Sequence, residues 1–260
     1  MTLRPTGDRA PLVLVHGNTG NLLHYAALVP LLNRDRPVLG LEQTSIDSLS
    51  VERIATSHIE SLLKAEPSGP FLVVGFCYGG VVAHEIACQL RADGHHVALL
   101  ALLGVTPLEF PTLLPPCVRD RWSRTTGPPT ALLPRTRYHV RNAWAMPARE
   151  RPRYLARRGI NVLAKMGRRV REQSSPSASA REAFQRALAA HRPSAYPGQA
   201  LVVLHERETN LYTDDPARDW AALADYVDLE LLPGADHAML EEPGVCRLAE
   251  LIHDRAASVP

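Results

Sequence analysis

Apolar and polar positions alternate in blocks along this chain, and the blocks have the lengths of strands and helices. Apolar runs of strand length lie at residues 12–15, 37–41, 71–74 and 97–103. Segments with apolar residues at helical spacing follow at 22–32, 50–64 and 81–92. The runs 71–74 and 97–103 are apolar at every position, which is typical of parallel strands buried on both faces. The pattern therefore predicts an α/β fold with a mostly parallel sheet flanked by helices.

This alternation breaks after Gly104 and returns near residue 200. The later elements are predicted as helices at 149–170 and 180–190, strands at 200–204 and 227–231, and a helical stretch at 220–223 before a closing helix at 244–253. We therefore predict a single domain over residues 1–260, with a core at 1–106 and 199–260 and an insertion at 107–198.

Charge is distributed unevenly between the core and the insertion. The 260-residue chain has a net charge of +2. Residues 107–198 hold 18 Lys plus Arg against 5 Asp plus Glu, a net of +13, whereas the remainder carries −11. A basic insertion on an acidic body is typical either of solvated helix faces or of a surface that attracts an acidic partner. Nucleic acid is not expected as that partner, because the basic residues are not interleaved with a set of aromatic residues.

Composition also bears on redox state and location. The 4 cysteines are widely spaced with no C-x-x-C pair, which predicts reduced thiols rather than a zinc site or a disulfide framework. No run approaches the roughly 18 apolar residues of a membrane helix. The first residues, MTLRPTGDRAP, lack the apolar region of a signal peptide. We therefore expect a cytoplasmic protein with no membrane partner.

The stretch FLVVGFCYGGVVAHEIACQL, at residues 71–90, carries the main candidate chemistry. It reads as a buried strand, a glycine-rich turn and a helix, with glycines two residues either side of Cys77. This is the G-x-S-x-G layout of a nucleophile elbow with cysteine in place of serine. Glycines are needed because a side chain at either position would collide with the strand or the start of the helix. The alternative is a buried cysteine that acts as a small hydrophobic residue.

Two further segments fit such an elbow. The first strand ends at HGNTGN, residues 16–21, where a backbone N–H can pair with the one after the nucleophile to bind an oxyanion. This loop lacks the spacing and lysine of a phosphate-binding loop. His237, in GADHAMLEEP, follows the last strand, where the α/β-hydrolase order of nucleophile, acid and histidine places the base. His16 is expected to shape the oxyanion loop, and His84 to be a packing or solvated residue.

Together these segments resemble the thioesterase domains that terminate nonribosomal peptide and polyketide assembly lines. The residues that carry the resemblance are LVLVHGNTGNLLHYAAL, VLGLEQ, the run from GPFLVVGFCYGG to LALL, and LLPGADHAMLEEP. The resemblance covers most of the chain except the insertion. It implies an α/β-hydrolase fold, with residues 107–198 in the position of a helical lid.

The resemblance also implies a reaction and a partner. The substrate is an acyl or peptidyl thioester on the 4′-phosphopantetheine of a carrier domain, and no intrinsic cofactor is needed. Cys77 is then the nucleophile and His237 the base, with the backbone N–H groups of Tyr78 and Asn18 as the oxyanion hole. An acyl-enzyme forms first. Water then releases an acid, or an internal amine or hydroxyl releases a ring.

The chain departs from the family at the acid of the triad. Many relatives have an aspartate just after the apolar run at 97–103, where this chain has Gly104. Some hydrolases of this fold place the acid one strand later, where this chain has LVVLHERETNLYTDDP. The candidate acids in that segment are Glu208, which we rank first for its distance from the strand, and then Glu206, Asp214 and Asp215. Each could equally be part of a solvated acidic loop.

The second departure is Cys77 itself. Transfer from pantetheine to a cysteine exchanges one thioester for another, so the acyl group stays activated for a hindered internal nucleophile. This favours ring closure, and related thioesterases with cysteine here look associated with β-lactam or β-lactone release. The alternatives are a free-standing type II editing thioesterase that hydrolyses misacylated carriers, and a non-catalytic carrier-binding module.

Overall fold

The strands in the described part of the chain form one sheet. The structure, a computed structural model, describes residues 1–43, 50–105, 176–205, 222–233 and 238–259. Its strands are β1 (Thr2–Arg4), β2 (Leu12–Val15), β3 (Val38–Leu41), β4 (Phe71–Phe76), β5 (Val97–Leu103), β6 (Tyr196–His205) and β7 (Ala224–Leu232). They form a seven-stranded sheet in the order β1-β3-β2-β4-β5-β6-β7, in which β1 is antiparallel and the other pairs are parallel. The α/β fold class predicted from the sequence is confirmed.

Helices cover the sheet. They are α1 (Val51–Ala65), α2 (Tyr78–Ala92), α3 (Pro176–Ala190) and α4 (Gly244–Ala256), with 3-10 helices at Leu23–Tyr25, Val29–Leu31 and Ala238–Leu240. The Ser50 side chain caps α1 by accepting a hydrogen bond from the Arg53 N–H at 3.2 Å. Among the described residues, no helix combines the length and apolar character needed to cross a membrane.

Strand β4 lies at the centre of the sheet and is buried on both faces. Phe71 and Val73 belong to the core cluster that includes residues of α1 and α2. Leu72 and Val74 point the other way, into the cluster that includes residues of α4. This alternation explains why the strand is apolar at every position. The elbow that follows it is therefore built on a central strand that is buried on both faces.

The predicted helix at 22–32 is replaced by two 3-10 turns. Successive hydrogen bonds run from residue i to i−3, such as Tyr25 N–H to Leu22 O at 2.9 Å and Leu31 N–H to Leu28 O at 2.9 Å. Pro30 has no N–H to donate to the carbonyl four residues back, so an α-helix cannot run through this segment. The buried positions Tyr25 and Leu28 keep their helical spacing, which is why the sequence pattern indicated a helix.

The end of the predicted insertion packs against the core. Helix α3 extends the predicted helix at 180–190, and its Phe184 is fully buried in the same cluster as Val73. Strand β6 begins at Tyr196, earlier than its apolar run indicates. The predicted helix at 149–170 lies outside the described residues, and the division of the chain into core and insertion stays a prediction.

Candidate active site

Cys77 links β4 to α2 and adopts a strained backbone conformation. Its φ is 54° and its ψ is −124°, and it is the one non-glycine residue with positive φ in the described part of the chain. Such a conformation costs roughly 1–3 kcal/mol and persists only when the surroundings impose it. Here the Cys77 N–H donates to Leu103 O on β5 at 2.8 Å, and the Cys77 carbonyl accepts from the Gly80 N–H at 2.9 Å. The side chain remains half-buried rather than enclosed.

The glycines around Cys77 are required by close backbone contacts. A Cβ on Gly75 would lie 2.1 Å from the Gly79 carbonyl oxygen, and a Cβ on Gly79 would lie 2.3 Å from the His16 carbonyl oxygen. A Cβ on Gly80 would lie 2.2 Å from Cγ2 of Val105. The turn predicted from the glycine spacing is therefore present. The contact between Gly79 and His16 also places the start of α2 directly against the loop that follows β2.

That loop, residues 16–21, is ordered by its own backbone hydrogen bonds. The Gly17 N–H donates to Asn21 O at 3.2 Å, and the Gly20 N–H donates to Gly17 O at 3.0 Å. Among the described residues, no backbone carbonyl accepts from the Asn18 N–H. The Tyr78 N–H lies in the first turn of α2, where N–H groups have no partner within the helix. The two N–H groups predicted as oxyanion donors are therefore both available to donate. They follow β2 and β4, which are neighbours in the sheet.

The His16 side chain forms a hydrogen bond to the backbone of this loop. It is fully buried, and its Nδ1–H donates to the Gly17 carbonyl oxygen at 2.7 Å. Burial lowers the pKa of His16 to about 4, so the ring is neutral at physiological pH. Its ring lies 5.2 Å from that of His58, where burial lowers the pKa to about 3. His16 therefore acts through the backbone of the loop and not through proton transfer at the surface.

The Tyr78 side chain is buried in the core cluster that also holds residues of α1, α2 and α3. Its ring lies 4.9 Å from that of Phe184 on α3. Nearby, His191 Nδ1 and Glu52 Oε1 are 2.5 Å apart, which joins the end of α3 to α1. Burial alone would raise the pKa of Glu52, but the hydrogen bond from His191 contributes to bringing this pKa below its usual value. The sequence pattern did not indicate these contacts, because the residues are far apart along the chain.

A second group of side chains lies near Cys77 and consists of Phe76, His24 and Met239. The His24 ring is 5.5 Å from that of Phe76 and 4.0 Å from that of Tyr25. Phe76, the residue before Cys77, packs against the cluster that contains Met239. Gly104, where many relatives have the acid, has a φ of +58°, and a Cβ there would lie 3.0 Å from Phe76 Cε2 and 3.5 Å from Met239 Cε. This strand end is therefore closed by apolar groups.

The structure brings three predicted site residues together and leaves five untested. Cys77, Tyr78 and Asn18 lie at the carboxyl ends of β2 and β4, which pair in parallel. The other predicted residues, His237, Glu208, Glu206, Asp214 and Asp215, lie outside the described residues. The described residues stop at His205, directly before the predicted acids, and the predicted base lies in the separate gap between Pro233 and Ala238.

The other described cysteines differ from Cys77 in their surroundings. Cys88 lies on the body of α2, and burial raises the pKa of its thiol to about 11. Cys246 lies near the start of α4 and is exposed. His84, also on α2, is fully buried with its Nε2 near Leu223 O at 3.4 Å, which confirms a packing role. These thiols serve as internal controls for the reactivity of Cys77.

Comparison with known proteins gives a family and a fold. The model of the thioesterase domain family matches residues 10–255. Malpinin synthetase of Mortierella alpina is 33% identical over 120 residues, which cover 44% of this chain and 2% of that protein. The NocB thioesterase domain of the nocardicin cluster superposes with a TM-score of 0.65 at 24% identity, covering 99% of this chain and 98% of that one.

A second solved structure aligns with this chain as part of a larger protein. Holo-AB3403, a four-domain nonribosomal peptide synthetase, gives a TM-score of 0.68 at 21% identity, covering 100% of this chain and 20% of that one. The chain likewise spans a small part of the curated relatives it matches, including 12% of the atromentin synthetase of Tapinella panuoides. At these identities the structural matches establish the α/β-hydrolase type of fold.

Proposed function

Because the chain belongs to the thioesterase domain family, we propose that it releases the product of a synthetase from a carrier domain through an acyl-enzyme on Cys77. The substrate is an acyl or peptidyl thioester on the phosphopantetheine arm of that carrier. Release occurs by closure of a ring, such as a β-lactam or β-lactone. The observation that carries this proposal is the strained, half-buried Cys77 at the junction of β4 and α2, with the start of α2 packed against the loop that contains Asn18.

In the first step, the Cys77 sulfur attacks the thioester carbonyl carbon. The carbonyl oxygen becomes an oxyanion that the Tyr78 and Asn18 N–H groups stabilise. The bond from the carbon to the pantetheine sulfur then breaks, and the pantetheine thiol leaves with a proton. His237 takes the proton from Cys77 and supplies it to the leaving thiol, with Glu208 as the group that orients the imidazole.

In the second step, an amine or hydroxyl of the acyl chain attacks the Cys77 thioester. That nucleophile loses its proton to His237, the carbon–sulfur bond breaks, and His237 passes the proton to the Cys77 sulfur, which regenerates the thiol as the product ring leaves. The first step exchanges one thioester for another and is nearly neutral in energy. A serine in place of Cys77 would form a more stable oxyester, which is a poorer acyl donor for closing a strained ring.

The proposed partner is supported by the relatives and by charge. Those compared above are synthetases, or a thioesterase domain from the nocardicin cluster, and this chain matches only a small part of the synthetases. The net +13 of residues 107–198 suits an acidic carrier domain that bears a phosphate. If this charge steers the carrier, carrier-dependent turnover should fall as salt is raised, while turnover of a neutral pantetheine thioester should not. Equal salt sensitivity of the two substrates would contradict the steering.

Ring closure is tested by comparing Cys77 with serine at the same position. The substrate is a carrier-loaded thioester of a 3-amino acyl chain, and products are identified by mass spectrometry. We expect the native chain to yield ring and acid, and Cys77→Ser to yield a lower ratio of ring to acid. Matched Cys246→Ser, at an exposed thiol, should leave the ratio unchanged.

The outcomes separate the alternatives. A native chain that yields only hydrolysed acid, from every carrier-loaded substrate offered, would support an editing thioesterase and overturn ring closure. A native chain that binds the loaded carrier without any turnover, and whose Cys77 is not acylated, would support a non-catalytic carrier-binding module.

A further inference from the structure

His24 lies in the short 3-10 helix Leu23–Tyr25, directly after the oxyanion loop, and its role is not covered by the reaction above. Its ring is half-buried and contacts two segments that hold reacting groups. On one side is Phe76, whose ring centroid is 5.5 Å away and whose next residue is Cys77. On the other is Gly17, whose next residue is Asn18.

The contact with Gly17 is close. A Cβ built on Gly17 would lie 3.0 Å from His24 Cε1 and 3.3 Å from His24 Nδ1, so the imidazole occupies the space beside the Gly17 backbone. The His16 Nδ1–H donates to the Gly17 carbonyl oxygen at 2.7 Å. Gly17, the residue before Asn18, is therefore contacted by two imidazole rings: His16 hydrogen-bonds to its carbonyl oxygen, and His24 occupies the space beside its Cα.

The His24 ring also contacts the ring of Tyr25. Its centroid is 4.0 Å from that of Tyr25, a fully buried residue whose hydroxyl donates to Val15 O at 3.2 Å. Val15 is the last residue of β2 and pairs with Gly75 of β4. The His24 ring thus lies in the gap between Phe76, at the end of β4, and Gly17, in the loop after β2, where it contacts the rings of Phe76 and Tyr25.

We propose that His24 is a positioning residue that sets the distance between the Asn18 N–H and Cys77 Sγ, and so aligns the oxyanion donor with the reacting carbonyl. This inference rests on the proposed function, since it assigns His24 to the first step of that reaction. Such alignment matters because a misplacement of about 1 Å in a reacting geometry can cost about 100-fold in rate. Burial lowers the pKa of His24 to about 4, so the ring acts as an uncharged aromatic spacer.

The test compares two reactions of the same thiol. Acylation by butyryl-S-N-acetylcysteamine, a pantetheine thioester mimic, passes through an oxyanion and needs the Asn18 donor. Alkylation by iodoacetamide displaces iodide at a tetrahedral carbon and forms no oxyanion. Both rate constants are measured at Cys77 by peptide mass spectrometry, so each variant supplies its own reference for folding and thiol exposure.

We expect His24→Ala to lower the acylation rate constant by about 10- to 100-fold and to change alkylation by less than about twofold. His24→Phe, which keeps an aromatic ring in the gap, should recover acylation to within about threefold of the native rate. His95→Ala is the matched control, because His95 is also half-buried and contacts β4 through Phe71, at the opposite end of the strand. It should change neither rate.

The failures are distinguishable. If native Cys77 is alkylated but never acylated, the proposed function is wrong. If native Cys77 is acylated, but His24→Ala leaves acylation unchanged or slows both reactions equally, His24 does not position the donor. If His24→Phe is as slow in acylation as His24→Ala, the imidazole nitrogens are required and the ring is not merely a spacer.

Discussion

Strands β4 and β5 lie side by side in the sheet, and both leave it through a residue with positive φ. At the end of β4 this residue is Cys77, with φ 54°, and at the end of β5 it is Gly104, with φ 58°. The two ends are joined by the hydrogen bond from the Cys77 N–H to Leu103 O. The two φ angles are thus similar, but only the β4 end keeps a side chain in the disfavoured conformation.

The two strand ends differ in whether a side chain is retained despite the strain of a positive φ. At Cys77, the close backbone contacts of Gly75 and Gly79 and the hydrogen bond to Leu103 O fix the turn that carries the thiol. At Gly104 the space that a side chain would need is filled by Phe76 and Met239. A carboxylate at Gly104 would therefore have to displace an apolar contact as well as adopt positive φ. Strain is retained at the strand end that presents the thiol and is absent from its neighbour.

The largest effect is expected from breaking the β4 end itself. Gly75→Ala places a Cβ 2.1 Å from the Gly79 carbonyl oxygen, and backbone cannot yield as a side chain can. We expect it to lower the free energy of unfolding by at least about 3 kcal/mol and to abolish acylation of Cys77. Chemical denaturation monitored by circular dichroism measures the stability change.

Gly94→Ala is the matched control for that substitution. Gly94 has a φ of +84° but has nothing within 4 Å of its Cβ position, so only the backbone cost of about 1 kcal/mol applies. Equal destabilisation by the two variants would show that the close contact at the elbow does not matter for stability.

Acid should destabilise the protein through the buried His16, which follows β2 and whose carbonyl oxygen lies against Gly79 of the elbow. The folded-state pKa of His16 is about 4, below the unfolded value near 6.5, so the unfolded chain binds more protons in this window. Stability present above pH 6.5 is therefore lost as pH falls toward 4, by on the order of 3 kcal/mol for this ring. His58, with a pKa of about 3, contributes with the same sign. The free energy of unfolding measured against pH checks this slope.

His16→Asn isolates the contribution of His16. Its side-chain amide can still donate to Gly17 O but does not titrate, so the slope between pH 6.5 and 4 should decrease by about one proton. An unchanged slope would mean that His16 is not the group responsible. At the β5 end the contacting side chains, Phe76 and Met239, do not titrate, and they should give no comparable slope.

The smallest effects are expected from exchanging the residue types of the two strand ends. Gly104→Ala should destabilise by about 2 kcal/mol, through positive φ and the contact with Phe76. Cys77→Gly should instead be more stable than Cys77→Ala by about 1 kcal/mol, because glycine relieves the strain at φ 54°. Thermal and chemical unfolding of the three variants measure these differences. A Cys77→Gly variant less stable than Cys77→Ala would contradict the strain argument.

The sequence predicted those parts of the site that depend on local sterics. The turn around Cys77 and the loop after β2 could be predicted because each requires particular residues at fixed short distances along the chain. The order of apolar runs likewise predicted the parallel strands, although the 3-residue β1 at the sheet edge was missed. Local patterns carry this information because the contacts that produce them are also local.

The remaining features depend on residues that only folding brings together. His24 packs against Phe76, and Glu52 pairs with His191, which lies 139 positions later in the chain. No periodicity marks such partners in advance. The 3-10 turns near Pro30 show a related limit, since their buried residues have the spacing of an α-helix. The predicted roles of His237 and Glu208 fall outside the described residues and stay predictions.

The most direct test of the central claim is mass spectrometry of the protein after mixing with an acyl-loaded carrier domain. We expect a mass increase equal to the acyl group, mapped to the peptide that contains Cys77, which appears faster than product. Cys246→Ser, which removes an exposed thiol, should show the same increase, and Cys77→Ala should show none. Product release without acylation of Cys77, or acylation that persists in Cys77→Ala, would contradict the account.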